Sequence, residues 1–266
     1  MIVTGYSKLP DLGSRTDEIT VFAGPCSVES REQFAQVAEA LAGLGLRWIR
    51  GGAFKPRTNP HSFQGLGEEA LAIMKEGGAQ FGLRTITEVM DSEHIALVKS
   101  HCDGIQIGAR NFQNFSLLKN VGIETAESNT LVLFKRGFSG TISEWLAAAE
   151  YITQFGNRNI MLCERGLRTF ETATRFTLDI SAVPVIHKQS LYPICVDVSH
   201  PAGQRDLVPS LAKAAIAAGA DAIMIEVHPD PARARSDGAQ QLTLEQFADL
   251  VADLRVLAEA LGKKIV

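Results

Sequence analysis

Residues 194–228 read ICVDVSHPAGQRDLVPSLAKAAIAAGADAIMIEVH. The stretch holds a short β-branched run, a helix-length amphipathic segment and a second apolar run. Ile194–Val198 and Ala222–Val227 have the length and composition of buried strands, and Leu207–Ala218 between them has the pattern of a helix. Two strands joined through a helix lie parallel in one sheet. The same alternation extends outward from here. Ile19–Pro25, Trp48–Gly52, Thr85–Val89, Gly104–Ala109, Leu131–Lys135 and Ile160–Arg165 complete a set of eight strands. Ser30–Leu44 and Ser143–Thr153 are helical connections, and Thr243–Leu261 closes the chain, carrying the last helix almost to Val266. Ser30 with Gln33 forms a capping-box pattern, and Thr141, Ser143 and Thr243 are further N-cap candidates. Eight repeats in 266 residues predict one α/β domain, a single (β/α)8 TIM barrel, a fold that uses about 250 residues. Residues 19–266 are assigned to the barrel and 1–18 to an N-terminal extension capping its bottom. An open doubly wound sheet is the other architecture, but it would carry a glycine-rich dinucleotide turn after the first strand, and GPCSVES is not one.

Composition narrows the function. The chain has 26 Lys plus Arg against 30 Asp plus Glu, a net charge of -4, so no global positive field favours nucleic acid or an anionic membrane surface. No segment has the apolar length of a membrane span or a signal peptide, and a cytoplasmic location is expected. Cys26, Cys102, Cys163 and Cys195 lack CxxC pairing, which argues against a disulfide framework or a zinc ribbon.

A barrel keeps its chemistry at the C-terminal ends of its strands. There the sequence places Cys26, Arg50, Glu88, Arg110, Lys135, Arg165, Asp197, His200, Glu226 and His228. Alternation puts Met224, Glu226 and His228 on one face of their strand, and Gln106, Gly108 and Arg110 on one face of theirs. Arg50, Lys55, Arg57, Arg110, Lys135 and Arg165 concentrate six cations at one rim of an acidic protein. Any one of them could merely terminate a strand and pair with a neighbouring acid; together they predict a site for more than one anionic group. Cys26, His200, Glu226 and Asp237 gather sulfur, nitrogen and oxygen donors, a mixture suited to a divalent first-row transition ion. Taken alone, Cys26 reads first as a small buried hydrophobe and His200 as a satisfied loop histidine.

VFAGPCSVES, WIRGGAFKPRTNP, SFQGLG, TEVMD, IQIGARN, LFKRG, MLCERGLRTFE, LDISAVP, DVSHPAG and IEVHPDP resemble, over about residues 19–250, the short microbial type of the 3-deoxy-7-phosphoheptulonate synthase family. The resemblance implies condensation of phosphoenolpyruvate with erythrose 4-phosphate on a (β/α)8 barrel, releasing phosphate by C–O cleavage, at the entry to aromatic amino acid synthesis. It implies a metal (Mn2+, Fe2+, Co2+ or Zn2+) on Cys26, His200, Glu226 and Asp237. By the same resemblance Arg50 and Lys55 address the phosphoenolpyruvate carboxylate and reacting end, and Arg110, Lys135 and Arg165 its phosphate. Lys55, Pro56, Arg57 and Thr58 would grip the aldose, and Lys55, Glu88 and His200 are the candidate catalytic residues, with Lys55 an acid and Glu88 placing or deprotonating water. A homo-oligomer, a tetramer in the family, is implied as well.

Two departures bear on the aldose. Val198 stands where the family block reads DPSH, as in the sister 3-deoxy-octulosonate 8-phosphate synthases that use arabinose 5-phosphate, and GIETAESNT at 122–130 is longer and more acidic than the turn expected there. KPRT favours erythrose 4-phosphate, because the sister family has a KANRSS-like stretch instead. A metal-dependent lyase aldolase is a further alternative. With the first strand near Ile19 and no domain-sized insertion, the chain assayed alone is expected to lack feedback inhibition by aromatic amino acids.

Overall fold

The structure is a computed structural model describing residues 17–56, 59–128 and 130–266. Its strands are β1 Glu18–Gly24, β2 Trp48–Arg50, β3 Arg84–Val89, β4 Gly104–Ile107, β5 Leu131–Lys135, β6 Ile160–Glu164, β7 Ile194–Asp197, β8 Ala222–Glu226 and β9 Lys264–Ile265. The helices are α1 Arg31–Gly43, α2 Glu68–Phe81, α3 Ile95–Lys99, α4 Phe115–Thr125, α5 Ile142–Gln154, α6 Ala182–Gln189, α7 Ser199–Ala202, α8 Val208–Ala217 and α9 Leu244–Ala260. Strands β1 to β8 pair in parallel, each with its neighbour in sequence, and β8 and β2 both pair with β1, so the sheet closes on itself. This is the (β/α)8 barrel expected from the alternation.

Side-chain alternation builds two cores. Phe22, Trp48, Ile86, Leu131, Leu133, Met161, Cys163, Cys195, Ala222 and Met224 point inward and fill the barrel. Residues of opposite parity, such as Val21, Ile49, Ile105, Val132, Leu162, Val196 and Ile223, pack outward under the helices. A barrel of eight strands is just wide enough to be plugged by such side chains, so polar groups survive inside only above the plug. One step further along each strand the inward position is Arg50, Glu88, Gln106, Lys135, Asp197 or Glu226.

The differences from the sequence reading are local. Strand β1 opens one residue early, at Glu18, and β9 pairs with its start, with the Lys264 amide donating to the Asp17 carbonyl at 2.6 Å. The last helix therefore stops at Ala260 and the chain returns to the barrel floor as a strand, a pairing over too few residues to leave a pattern. Residues 1–16 of the expected N-terminal cap lie outside the described residues. Of 122–130, Gly122–Thr125 form the last turn of α4, not a loop; a Cβ at Gly122 would lie 2.5 Å from the Ile152 carbonyl, so α4 and α5 pack backbone to backbone there. Thr141 and Thr243 form full capping boxes. At Ser30 the hydroxyl caps Gln33, but the Gln33 side chain accepts from the Glu29 amide instead of closing the box. Among the described residues, no helix is long and apolar enough to cross a membrane.

Candidate active site

At the mouth, β7 delivers Asp197 and the one-turn helix α7 delivers His200. The Asp197 carboxylate accepts from the amides of Ser199 and His200 through Oδ1 and faces the Lys135 ammonium at 2.6 Å and His200 Nδ1 at 2.7 Å through Oδ2. Burial acts to raise its pKa, but His200 and Lys135 outweigh that and hold Asp197 well below the usual carboxylate range. Burial depresses the imidazole, against the pull of Asp197 and Glu226. With Nδ1 beside Asp197, the ring turns Nε2 toward Glu226 and Asp237, the arrangement of a metal-ligating histidine backed by a carboxylate.

This Nε2 approaches two of the other three candidates, Glu226 and Asp237, and the cluster of Cys26, Glu226 and Asp237 adjoins it. His200 Nε2 is 3.4 Å from Glu226 Oε1 and 4.0 Å from Asp237 Oδ2. Cys26 Sγ is 3.4 Å from the same Asp237 oxygen, and ligand atoms of Cys26, Glu226 and Asp237 lie within 4.8 Å of one another. Burial, with Glu226 and Asp237, pushes the Cys26 thiol up to about 12, against Lys55 and Arg50. A pocket that holds two carboxylates and resists a third anion is one that a cation completes, and the donor set fits a divalent transition ion. Asp237 adds backbone evidence: it is the one non-glycine residue with positive φ among those described, at 50°. Such strain persists where the surroundings fix it, and it concentrates at functional sites.

Two cations line this cluster. Arg50 Nη1 donates to Glu226 Oε1 at 3.1 Å and to the Pro25 carbonyl at 2.8 Å. Lys55 Nζ donates to the Cys26 carbonyl at 2.9 Å and to Sγ at 3.0 Å. Opposite them sits Arg165, only 5% exposed, its guanidinium 4.0 Å from the centre of the Phe176 ring and 4.9 Å from that of Phe138. No carboxylate lies within ion-pair distance of it among the described residues, and burial lowers its pKa. A buried cation held by aromatic faces and lacking a counter-ion is a prepared anion site. Glu88 Oε2 accepts from Gln106 Nε2 at 3.0 Å; a Cβ on Gly108 would lie 2.1 Å from Glu88 Oε1, so the glycine is what lets the carboxylate stand there.

The expected set is thus partly redistributed. Strand β4 ends at Ile107 and Ala109–Asn111 turn as a 3-10 helix, so Arg110 leaves the inward face shared by Gln106 and Gly108. It is exposed at the rim, 5.7 Å from the Phe138 ring, beside a cleft of about 390 Å3. Glu88 is held by Gln106. Lys135 is buried against Asp197, Pro56 is half-buried, and Arg57 and Thr58 lie outside the described residues. His228 is buried with Nε2 3.6 Å from Glu29, away from the cluster. Sequence reasoning missed Phe138, Phe176, Arg175, Gln240 and Gln241. The loops that carry them have no periodicity, and the residues each one touches are distant in sequence.

A closed parallel barrel with a metal-ready cluster beside an unpaired buried arginine, all at the C-terminal mouth, defines a (β/α)8-barrel enzyme for anionic substrates. Residues 12–260 match the model of the DAHP synthetase I family, and the chain belongs to that family. It is 53% identical over 246 residues, 92% of this chain and 72% of the relative, to a phospho-2-dehydro-3-deoxyheptonate aldolase of Thermotoga maritima. A crystal structure of the Thermotoga maritima phospho-2-dehydro-3-deoxyheptonate aldolase superposes with a TM-score of 0.91 at 51% identity, covering 96% of this chain and 74% of that one. A truncated 3-deoxy-D-arabino-heptulosonate 7-phosphate synthase, also from Thermotoga maritima, gives 0.86 at 49% identity, covering 94% and 90%. A 2-dehydro-3-deoxyphosphooctonate aldolase of Caulobacter vibrioides is more distant, at 32% identity over 256 residues, 90% of this chain and 87% of that one.

Proposed function

We propose that this mouth joins phosphoenolpyruvate to erythrose 4-phosphate, giving 3-deoxy-7-phosphoheptulonate and phosphate, with the cluster and Arg165 as the two poles of one site. The observation that carries the reading is the Lys135–Asp197–His200 chain, which ties the anion-binding side to the cluster within two consecutive contacts of 2.6 and 2.7 Å.

Arg165, Lys135 and Arg110 take the phosphoenolpyruvate phosphate, with Arg110 swinging in from the rim. Arg50 and Lys55 take its carboxylate; Arg50 keeps donors beyond the two N–H of Nη1 spent on Glu226 and Pro25. Pro56, Arg57 and Thr58 grip the aldose. Cys26, His200, Glu226 and Asp237 would hold a divalent ion (Mn2+, Fe2+, Co2+ or Zn2+), which would supply Lewis acidity at the aldehyde. Lys55 Nζ moves a proton to the aldose oxygen as the new C–C bond forms. Burial works to lower the Lys55 pKa, but Cys26 and Glu226 carry it above the ordinary value, so the ammonium is charged at neutral pH. Glu88 Oε1, on the side away from Gln106, takes the proton of the water that adds to carbon two.

The test is phosphate release with erythrose 4-phosphate against arabinose 5-phosphate, before and after chelation and metal return. Activity with erythrose 4-phosphate that chelation removes is expected. Preference for arabinose 5-phosphate, or full turnover without metal, would overturn the reading.

A further inference from the structure

Two consecutive glutamines follow the last candidate metal ligand, and both are buried, Gln240 at 2% and Gln241 at 0% exposure. The parallel bridge of Leu242 to Val227 fixes the segment against β8, with the Leu242 amide donating to the Glu226 carbonyl at 2.9 Å. The turn at 238–240, closed by the Gln240 amide donating to the Asp237 carbonyl at 3.2 Å, leads into that bridge, and the two glutamine side chains reach different partners. Gln241 Oε1 accepts from the Cys26 amide at 3.1 Å, and its Nε2 donates to the Ser236 carbonyl at 2.8 Å. Gln240 Nε2 donates to Glu226 Oε2 at 2.6 Å, and its Oε1 accepts from Arg175 Nη1 at 2.9 Å. The same Arg175 nitrogen lies 3.3 Å from Asp237 Oδ2.

We propose that Gln240 is a positioning residue of the metal centre: its amide, clamped between Arg175 and Glu226, fixes which Glu226 oxygen the centre uses. The proposal rests on the metal-site reading above. Arginine can only donate, so the Gln240 oxygen must face Arg175 and its NH2 must face Glu226. The amide orientation is thereby set by chemistry. With Oε2 engaged by Gln240, Glu226 presents Oε1 to the cluster, the oxygen that Arg50 Nη1 bonds at 3.1 Å from one side and His200 Nε2 approaches at 3.4 Å. Arg175 extends the clamp to Asp237, and the Cβ of Gly203, if it had one, would lie 2.7 Å from the Arg175 Cβ, so the loop after β6 is seated tightly on the loop after β7. Groups that hydrogen-bond to metal ligands orient them and tune affinity.

The experiment compares the wild-type chain with Gln240→Met, similar in size and unable to hydrogen-bond on either side, and with Gln240→Asn, which keeps the amide but withdraws it by one methylene. Each is stripped of metal and titrated with Co2+, following the thiolate-to-cobalt absorption; the KM for phosphoenolpyruvate is then measured at saturating Co2+. Gln240→Met should bind Co2+ about tenfold or more weakly, with Gln240→Asn in between. The phosphoenolpyruvate KM should stay within about twofold of wild type, because uniform substrate binding is untouched. Unchanged Co2+ affinity and spectrum in both variants would overturn the proposal, as would a phosphoenolpyruvate KM that rises in step with the Co2+ dissociation constant. If Gln240→Met does not fold, Gln240→Asn decides alone by the same criteria. A wild-type chain that shows no thiolate-to-cobalt band overturns the metal reading itself, and the Gln240 proposal with it.

Discussion

The ammonium of Lys55 lies 3.0 Å from Cys26 Sγ, yet the thiol beside it is pushed up to about 12. Burial and the carboxylates of Glu226 and Asp237 outweigh the lysine, so the metal-free site holds a protonated Cys26 at any physiological pH. A metal binds the thiolate. Metal uptake should therefore release one proton from Cys26 and strengthen by about tenfold per pH unit through the neutral range. His200, whose pKa is lowered, adds no proton there. Calorimetric titration with Mn2+ or Co2+ in buffers of different ionisation enthalpy measures the number released; a value of zero would show that Cys26 does not ligate.

Arg165 carries a cost that binding recovers. Its charge is buried against Phe138 and Phe176, and among the described residues no carboxylate lies within ion-pair distance of it. Arg165→Met keeps an adaptable side chain against both rings and removes the desolvated charge. The ligand-free protein should gain ~1 kcal/mol, or about 2–4 °C in Tm, while phosphoenolpyruvate binding weakens at least about tenfold. Thermal melts and calorimetric binding test the pair of effects, and a variant that loses stability while binding normally would make Arg165 a structural residue.

Glu88 should matter to turnover and not to binding. Glu88→Gln can still pair with Gln106 and fits the space left by Gly108. If Glu88 takes a proton from water, kcat should drop about 100-fold or more with both KM values held. Steady-state kinetics with each substrate varied in turn gives the answer; a kcat close to wild type would leave Glu88 as a partner of Gln106 alone.

Asp197 couples the two poles and should set the acid limit of the fold. Its pKa is lower folded than unfolded, so its contribution is fully present above the unfolded value of about 4 and is lost as pH falls below that toward the folded value. Asp197→Asn leaves Lys135 buried without its 2.6 Å partner and should cost about 3–5 kcal/mol at pH 7. The gap between wild type and variant should narrow as pH drops below about 4. Urea unfolding of metal-free protein at pH 7 and pH 3 checks both statements; a gap that does not depend on pH would assign the stabilisation to the backbone hydrogen bonds of Oδ1.

The barrel and the inward row of its mouth can be read from local sequence alone. Strand alternation has a period of two, a purely local property, so Phe22 predicts the side of Gly24, and Met224 that of Glu226, whatever the rest of the chain does. The wall-borne cations Arg50 and Lys135, and the acid Glu226, were therefore legible, and Asp197 was visible at its strand end although no role was assigned to it. Beyond the last residue of each strand that rule lapses. Arg110 was assigned to the inward face and is turned out to the rim by the 3-10 turn after β4. Arg136, beside Lys135 in sequence, faces the other way and is consumed by Glu164 and Asp179 at 2.8 Å each. The partners that hold the cluster in place lie far apart in sequence: Cys26 is anchored by Gln241 across 215 positions, and Arg175 reaches Gln240 across 65. Only closure of the sheet, which brings β8 beside β1, makes such pairs neighbours. No local pattern can encode a contact whose geometry depends on where a distant loop comes to rest.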